Sequence, residues 1–241
     1  MVTLPIDSYL PRIVEALRGS RSLVIVAPPG AGKTTRVPVA MLRGGVVEGE
    51  HKNIVMLQPR RVAARASAAR IAQENGWELG REVGYHVRFD RKIGRDTRLR
   101  VLTEGILNRQ LLDDPYLEGV GAVVLDEFHE RSLNTDVAIA LLREVQETVR
   151  PDLKIVVMSA TLEAAPVAKF LGDCPIVETQ GRAYPIEIRY SPALRGEEES
   201  AAVRAVEELL GGRQNVQRST LNVQHPTKKR RVFNPSANAR E

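Results

Sequence analysis

The stretch SLVIVAPPGAGKTTRVPVA, residues 22–40, constrains this chain more than any other. An apolar run, 22–27, reads as a buried strand. Pro28, Pro29, Gly30, Ala31 and Gly32 then form a loop of small residues, and a helical pattern runs from Lys33 to Leu42. Strand, small-residue loop and helix in that order make an anion cradle. The small residues let successive N–H groups turn inward, and the helix start adds its positive end. A lysine in the place of Lys33 reaches the β- and γ-phosphates of a nucleoside triphosphate, and a hydroxyl in the place of Thr34 ligates Mg²⁺. Such loops usually open on glycine, whereas this one opens on Ala27. The prolines have no N–H, so the donors must come from Gly30 to Thr34. The bland alternative is a glycine-rich turn with an exposed lysine, and the flanking strand and helix argue against it.

Apolar runs at 22–27, 53–58, 82–87, 99–103, 122–126 and 154–159 alternate with helical patterns. The helices are expected at Lys33–Leu42, Arg61–Glu74, Glu104–Leu112, Thr135–Val149 and Ala164–Leu171, with an amphipathic helix through Leu10, Ile13, Val14 and Leu17 before them. Several runs are β-branched and apolar on both faces, as in strands covered by helices on either side. The fold class is therefore α/β, a doubly wound, mostly parallel sheet with helices on both faces. Ligands bind such sheets at the carboxyl ends of the strands.

A second element of a phosphate site would be an acid at the end of another buried strand. AVVLDEFH, 122–129, supplies Asp126 and Glu127. Asp126 would hold Mg²⁺, and Glu127 would bind near it and polarise an attacking water as general base. Adjacent acids repel each other unless a cation lies close, which favours a metal–phosphate site. Taken alone the pair reads equally well as a solvated acidic turn. His129 is read as part of a polar relay, because one cysteine and four histidines offer no zinc cluster.

The net charge of +5 is not a property of the whole chain. Residues 211–241 hold seven basic residues and one acidic residue, so the preceding 210 are close to neutral. A nucleic-acid argument resting on the isoelectric point would therefore be weak. No apolar run approaches the ~20 residues that a membrane-spanning helix needs. The lone Cys174 fits a reducing compartment, and a cytoplasmic, monomeric protein is expected.

APPGAGKTT, QPRRVAAR, TEG, DEFHERSLNTD and SAT stand in the order of motifs I, Ia, Ib, II and III of superfamily 2 helicases. Over about residues 10–190 the chain resembles their DEAH/RHA branch. Phe128, where Ala is usual, makes it similar to the bacterial HrpB-like subgroup. The resemblance implies a RecA-like P-loop NTPase domain of an ATP-dependent RNA helicase, with ATP and Mg²⁺ as cofactors and RNA as partner, DNA not excluded. By position it implies a nucleotide loop of Gly30, Ala31, Gly32, Lys33, Thr34 and Thr35, and metal-holding and hydrolytic acids at Asp126 and Glu127. It implies that His129, Ser159 and Thr161 couple the nucleotide to domain movement, and that Arg60, Arg61 and Thr103 grip the RNA backbone. Arg70 would stack on adenine. Ser159 and Thr161 could equally cap the next helix, and Arg70 could be a solvated helix face.

The sequence departs from that pattern toward its end. The expected organisation is a RecA-like domain over 1–190, a linker and helix over 191–210 leading toward a second such domain, and a basic, poorly ordered tail over 211–241. The tail has no QRxGRxGR-like segment; truncation or a frame change near Gly211 would account for it, and the frame change is the expected reason. Without arginines facing the site from a second domain, a stabiliser worth on the order of 10³–10⁵ in rate is missing. Weak Mg·ATP binding, slow hydrolysis and no unwinding are expected of the chain alone. A non-catalytic binding module on the same fold is the alternative.

Overall fold

Side chains along the central strands alternate between two separate apolar layers. Leu23 and Ile25 face one layer, while Val24 and Val26 face the other. The computed structural model describes residues 3–160, 164–179 and 198–211. Contacts divide the chain into two compact units, Met1–Tyr184 and Pro185–Glu241.

Among the described residues the first unit holds eight strands in one sheet: β1 (Ser22–Val26), β2 (Asn53–Gln58), β3 (Val83–Val87), β4 (Asp90–Lys92), β5 (Leu99–Thr103), β6 (Val120–Leu125), β7 (Lys154–Ser159) and β8 (Ile176–Glu178). Their order is β4-β3-β5-β2-β6-β7-β1-β8. Every neighbouring pair is parallel except β3 and β4, which form an antiparallel edge. One layer packs α1 (Leu10–Gly19), α2 (Lys33–Arg43) and α3 (Arg61–Asn75) on the sheet through Ile13, Leu17, Val37, Met41, Ala68 and Ile71. The opposite layer packs α4 (Glu104–Asp113), α5 (Leu133–Thr148) and α6 (Ala164–Phe170) through Leu107, Leu111, Ala138, Leu142 and Ala168. Burial of the sheet on both faces explains why the strands read as continuous apolar runs.

The register levels the strand ends. Val26 pairs with Ser159, Gln58 with Thr103 and Leu57 with Leu125. Lys33, Asp126, Gln58, Thr103 and Ser159 therefore stand at or just beyond one rim, the ligand-bearing rim of such sheets.

The six expected strands and seven expected helices are present with small shifts. The strand expected to include Asp126 ends at Leu125, and α5 starts at Leu133, two residues early, where Ser132 caps it. In the second unit the described element is α7 (Glu198–Gly211). The end of the expected RecA-like domain, 180–190, the start of the expected linker, 191–197, and the tail beyond Gly211 lie outside the described residues.

Candidate nucleotide site

After β1 the backbone enters the left-handed region at Gly30 (φ 76°) and again at Gly32 (φ 95°), which immediately precedes α2. L-residues with a side chain pay roughly 1–2 kcal/mol there, so the turn calls for glycine. A Cβ on Gly30 would meet no heavy atom within 4 Å, so open space lies above it. A Cβ on Gly32 would come within 2.6 Å of Leu4 Cδ1. The Ala31 amide donates to Pro28 O at 3.2 Å and the Arg36 amide to Gly32 O at 3.0 Å. Among the described residues no carbonyl accepts from the amides of Gly32 to Thr35. These are the donors that a helix start leaves over.

Two contacts join this loop to the residues after β6. Thr34 Oγ1 donates to Asp126 Oδ2 at 2.5 Å, and Lys33 Nζ lies 3.1 Å from Glu127 Oε1. Lys33 is only 4% exposed and Asp126 only 1%. Burial pushes the Asp126 carboxyl above its ordinary range; Glu127 adds to the rise, and the Thr34 hydroxyl and Lys33 ammonium oppose it. The Asp126 amide donates to Leu57 O at 3.1 Å, continuing the sheet pairing one residue past the strand. Glu127 then turns left-handed (φ 51°), a strained conformation for a residue with a side chain.

Two further strand ends join the cluster. Gln58, at the end of β2, donates from Nε2 to Asp126 Oδ2 at 2.6 Å. His129 Nδ1 lies 3.5 Å from Glu127 Oε2 and accepts from the Ala160 amide at 3.3 Å. Because Nδ1 is the acceptor in the Ala160 bond, its approach to Glu127 is a close contact rather than a hydrogen bond. The Ala27 amide donates to Ser159 O at 3.0 Å, so the glycine loop, the DEFH turn and the end of β7 are tied together.

The sequence-predicted residues thus fall into groups. Gly30 to Thr34, Asp126, Glu127, His129 and Ser159 converge. Thr161 lies outside the described residues. Arg60 and Arg61 are exposed at the start of α3, with Arg60 Nη2 3.2 Å from Glu130 Oε2. Thr103 is at the same rim but buried, so it offers little surface. Arg70 sits on the outer part of α3 and pairs with Glu74 at 2.5 Å. Glu74 lies 3.9 Å from Arg36 of α2, which leads Arg70 back toward the loop helix. Burial raises the Glu74 carboxyl, but the Arg70 hydrogen bond and the Arg36 and Arg70 charges together outweigh it and hold the group below its ordinary range.

Sequence reasoning passed over Gln58 and Glu104. Glu104 accepts from Ser132 Oγ at 2.8 Å and from Thr135 Oγ1 at 2.7 Å, fastening the start of α4 to the start of α5. Both lie inside quoted motifs, QPRR and TEG, and their polarity beside an apolar run was the available signal.

The donors present fit a nucleoside triphosphate carrying a magnesium ion. A buried ammonium, free amides, an open glycine position, a hydroxyl and two acids meet at one place. Among the described residues no three His, Cys, Asp or Glu side chains gather as a metal site. A hard cation here would therefore depend on Thr34, Asp126, water and phosphate oxygens.

Fold and cluster together define a P-loop domain of RecA-like α/β architecture. The chain belongs to the DEAD/DEAH box helicase family, whose model matches residues 10–170. It is 44% identical over 192 residues to the ATP-dependent RNA helicase HrpB of Escherichia coli K12, covering 80% of this chain and 23% of that protein. To the probable ATP-dependent RNA helicase DHX40 of Homo sapiens it is 37% identical over 210 residues, 85% of this chain and 27% of that one. The crystal structure of the E. coli DEAH/RHA helicase HrpB is similar with a TM-score of 0.79 at 42% identity, covering 87% of this chain and 26% of that one. The chain spans about a quarter of the length of the curated relatives it matches.

Proposed function

We propose that this chain is the ATP-binding domain of an ATP-dependent RNA helicase, in which Mg²⁺-dependent hydrolysis is coupled to RNA binding. The observation that carries the reading is the pair of contacts Thr34–Asp126 and Lys33–Glu127, which join the glycine loop to the acids beyond a different strand. When bound, the magnesium ion supplies charge neutralisation of the β- and γ-phosphates. Thr34 and Asp126 would hold the ion, with Glu127 beside them. Lys33 and the amides of Gly32, Thr34 and Thr35 orient the phosphates, with Gly30 and Ala31 lining the loop. Glu127 accepts a proton from the attacking water at its carboxylate.

His129, bonded to the Ala160 amide, passes the state of Glu127 to the SAT segment, where Ser159 and Thr161 act on domain movement. Arg70 would stack on the base, an interaction with few base-specific hydrogen bonds and so with weak nucleotide selectivity. Arg60 and Arg61, with Thr103 behind them, contact the nucleic-acid backbone and give affinity without reading sequence. Alone, the chain hydrolyses slowly: among the described residues Lys33 is the cation paired with Glu127, and a second cationic group facing the phosphates is worth on the order of 10³–10⁵ in rate. A monomer in the cytoplasm is the setting this reading assumes; among the described residues no helix is long and apolar enough to cross a membrane.

Phosphate release with and without single-stranded RNA tests the proposal, using Lys33→Ala and Glu127→Gln as controls. Release that depends on both residues supports it. Release indifferent to both overturns the catalytic assignment and leaves a binding module.

A further inference from the structure

Asp126 is held from three directions. Its Oδ1 accepts from the Glu127 amide at 2.9 Å. Its Oδ2 accepts from two side chains, Thr34 Oγ1 at 2.5 Å and Gln58 Nε2 at 2.6 Å. These two donors differ in kind. Thr34 is on the loop helix, and its hydroxyl rotates freely to a new acceptor. Gln58 is 2% exposed at the end of β2, on the strand that pairs with β6, and the Leu57–Leu125 register sets it beside Asp126. An ionised carboxylate only accepts, so the Gln58 amide must present its NH₂. The same two loops meet again farther out, where Arg60 pairs with Glu130.

We propose that Gln58 is a positioning residue for Asp126: its carboxamide keeps Oδ2 aimed at the cation position when the Thr34 hydroxyl turns from Asp126 to the ion. This rests on the reading of the site as a Mg²⁺–nucleotide site. Gln58 touches neither nucleotide nor metal; it acts through the carboxylate. Groups of this kind, which orient a metal-holding side chain, typically change metal affinity or activity 10–100-fold, roughly, when removed.

The test is a Mg²⁺ titration of fluorescent ATP-analogue binding by the full 241-residue chain. Gln58→Met keeps the length of the side chain and removes the donor. Its half-saturating Mg²⁺ concentration is expected to rise about tenfold, with analogue binding in EDTA unchanged. In an Asp126→Ala background, Gln58→Met is expected to add no further shift, because the group it acts through is gone. Gln58→Asn, polar but too short to reach Oδ2, is expected to reproduce the shift if Gln58→Met does not fold.

An unchanged Mg²⁺ dependence in Gln58→Met, or a full additional shift in the Asp126→Ala background, overturns the proposal. Wild-type binding that ignores both Mg²⁺ and Lys33→Ala overturns the site reading and this inference together. Lys33- and Mg²⁺-dependent binding that Gln58→Met leaves untouched overturns the inference alone.

Discussion

Lys33 and Glu127, 94 positions apart in sequence, bring their charges to 3.1 Å across the gap between the loop after β1 and the turn after β6. The lysine is buried and the glutamate about a quarter exposed, so the cation depends on its partner more than the reverse. A triphosphate arriving over the open face of Gly30 would give Lys33 new anionic partners and free Glu127 for water.

Replacing either partner separates binding from turnover. Lys33→Ala removes charge-assisted bonds worth roughly 1.5–3 kcal/mol, so nucleotide affinity is expected to fall by about ten- to a hundredfold. Glu127→Gln keeps the shape and removes the base; binding is expected to hold while phosphate release drops by about 10²–10⁴. Equilibrium binding of a fluorescent nucleotide and steady-state phosphate release, measured on the same preparations, read the two effects apart. Equal loss of binding in both variants would contradict the division of roles.

The two left-handed glycines of the loop should respond differently to alanine. At Gly32 the new Cβ meets Leu4 Cδ1 at 2.6 Å and Leu4 Cβ at 3.1 Å, and the backbone strain adds to the clash. Gly32→Ala is expected to lower stability by about 1–3 kcal/mol in urea unfolding. At Gly30 the Cβ enters empty space, so Gly30→Ala is expected to cost only the strain, about 1 kcal/mol. That space is where the proposed phosphates lie. Gly30→Ala should therefore weaken nucleotide binding by more than its stability change accounts for.

The sequence made the central sheet legible because doubly buried strands leave continuous apolar runs, and NIVMLQ or KIVVMS cannot be mistaken for a solvated helix face. It hid β4 and β8, of three residues each, because Asp90–Lys92 is polar and Ile176–Glu178 is too short to show a period. The acids Asp126 and Glu127 were legible because two charges ending a buried strand require an explanation. Gln58 was not, since a neutral polar residue at a strand end is ordinary until its partner is known. Its partner lies 68 positions away, brought near only by the β2–β6 pairing.

Arg150 holds the far side of the unit and offers a test of stability independent of the site. It is buried, and its guanidinium donates to the carbonyls of Tyr116, Leu117 and Val120 and to Asp152. Arg150→Met removes the guanidinium donor to Tyr116, Leu117 and Val120, of which Leu117 O keeps the Val120 amide, and a loss of about 2–4 kcal/mol is expected, with nucleotide affinity unchanged. Hydrogen bonds from Arg150 hold the Asp152 carboxyl below its ordinary value of 3.8. A folded-state value below the unfolded one contributes stability above the unfolded value, and that contribution is lost as pH falls through the folded value. The gap between wild type and Arg150→Met in urea unfolding should therefore narrow as pH falls below about 4. Asp152 is half exposed, so the narrowing is expected to be a small part of the gap. A gap that widens in acid would contradict the pairing.

Arg60 and Arg61 provide the remaining test, on the proposed nucleic-acid side of the rim. Arg60 is held by Glu130, but both are exposed, and an exposed ion pair is worth at most about 1 kcal/mol. Phosphate oxygens should displace Glu130 readily. Each arginine that neutralises one phosphate of a single strand contributes about 0.7 to the slope of log affinity against log salt. Arg60→Ala and Arg61→Ala are each expected to weaken single-stranded RNA binding at low salt and to reduce that slope by about this amount, with the same loss on unrelated RNA sequences. The seven basic residues beyond Gly211 would attract RNA by charge alone, so a chain ending at Gly211 must be measured beside the full one. If the shorter chain binds RNA and its slope still falls on arginine removal, the affinity belongs to the β2–α3 rim. If shortening abolishes binding altogether, the RNA contact resides in the tail and the backbone-gripping role of Arg60 and Arg61 fails.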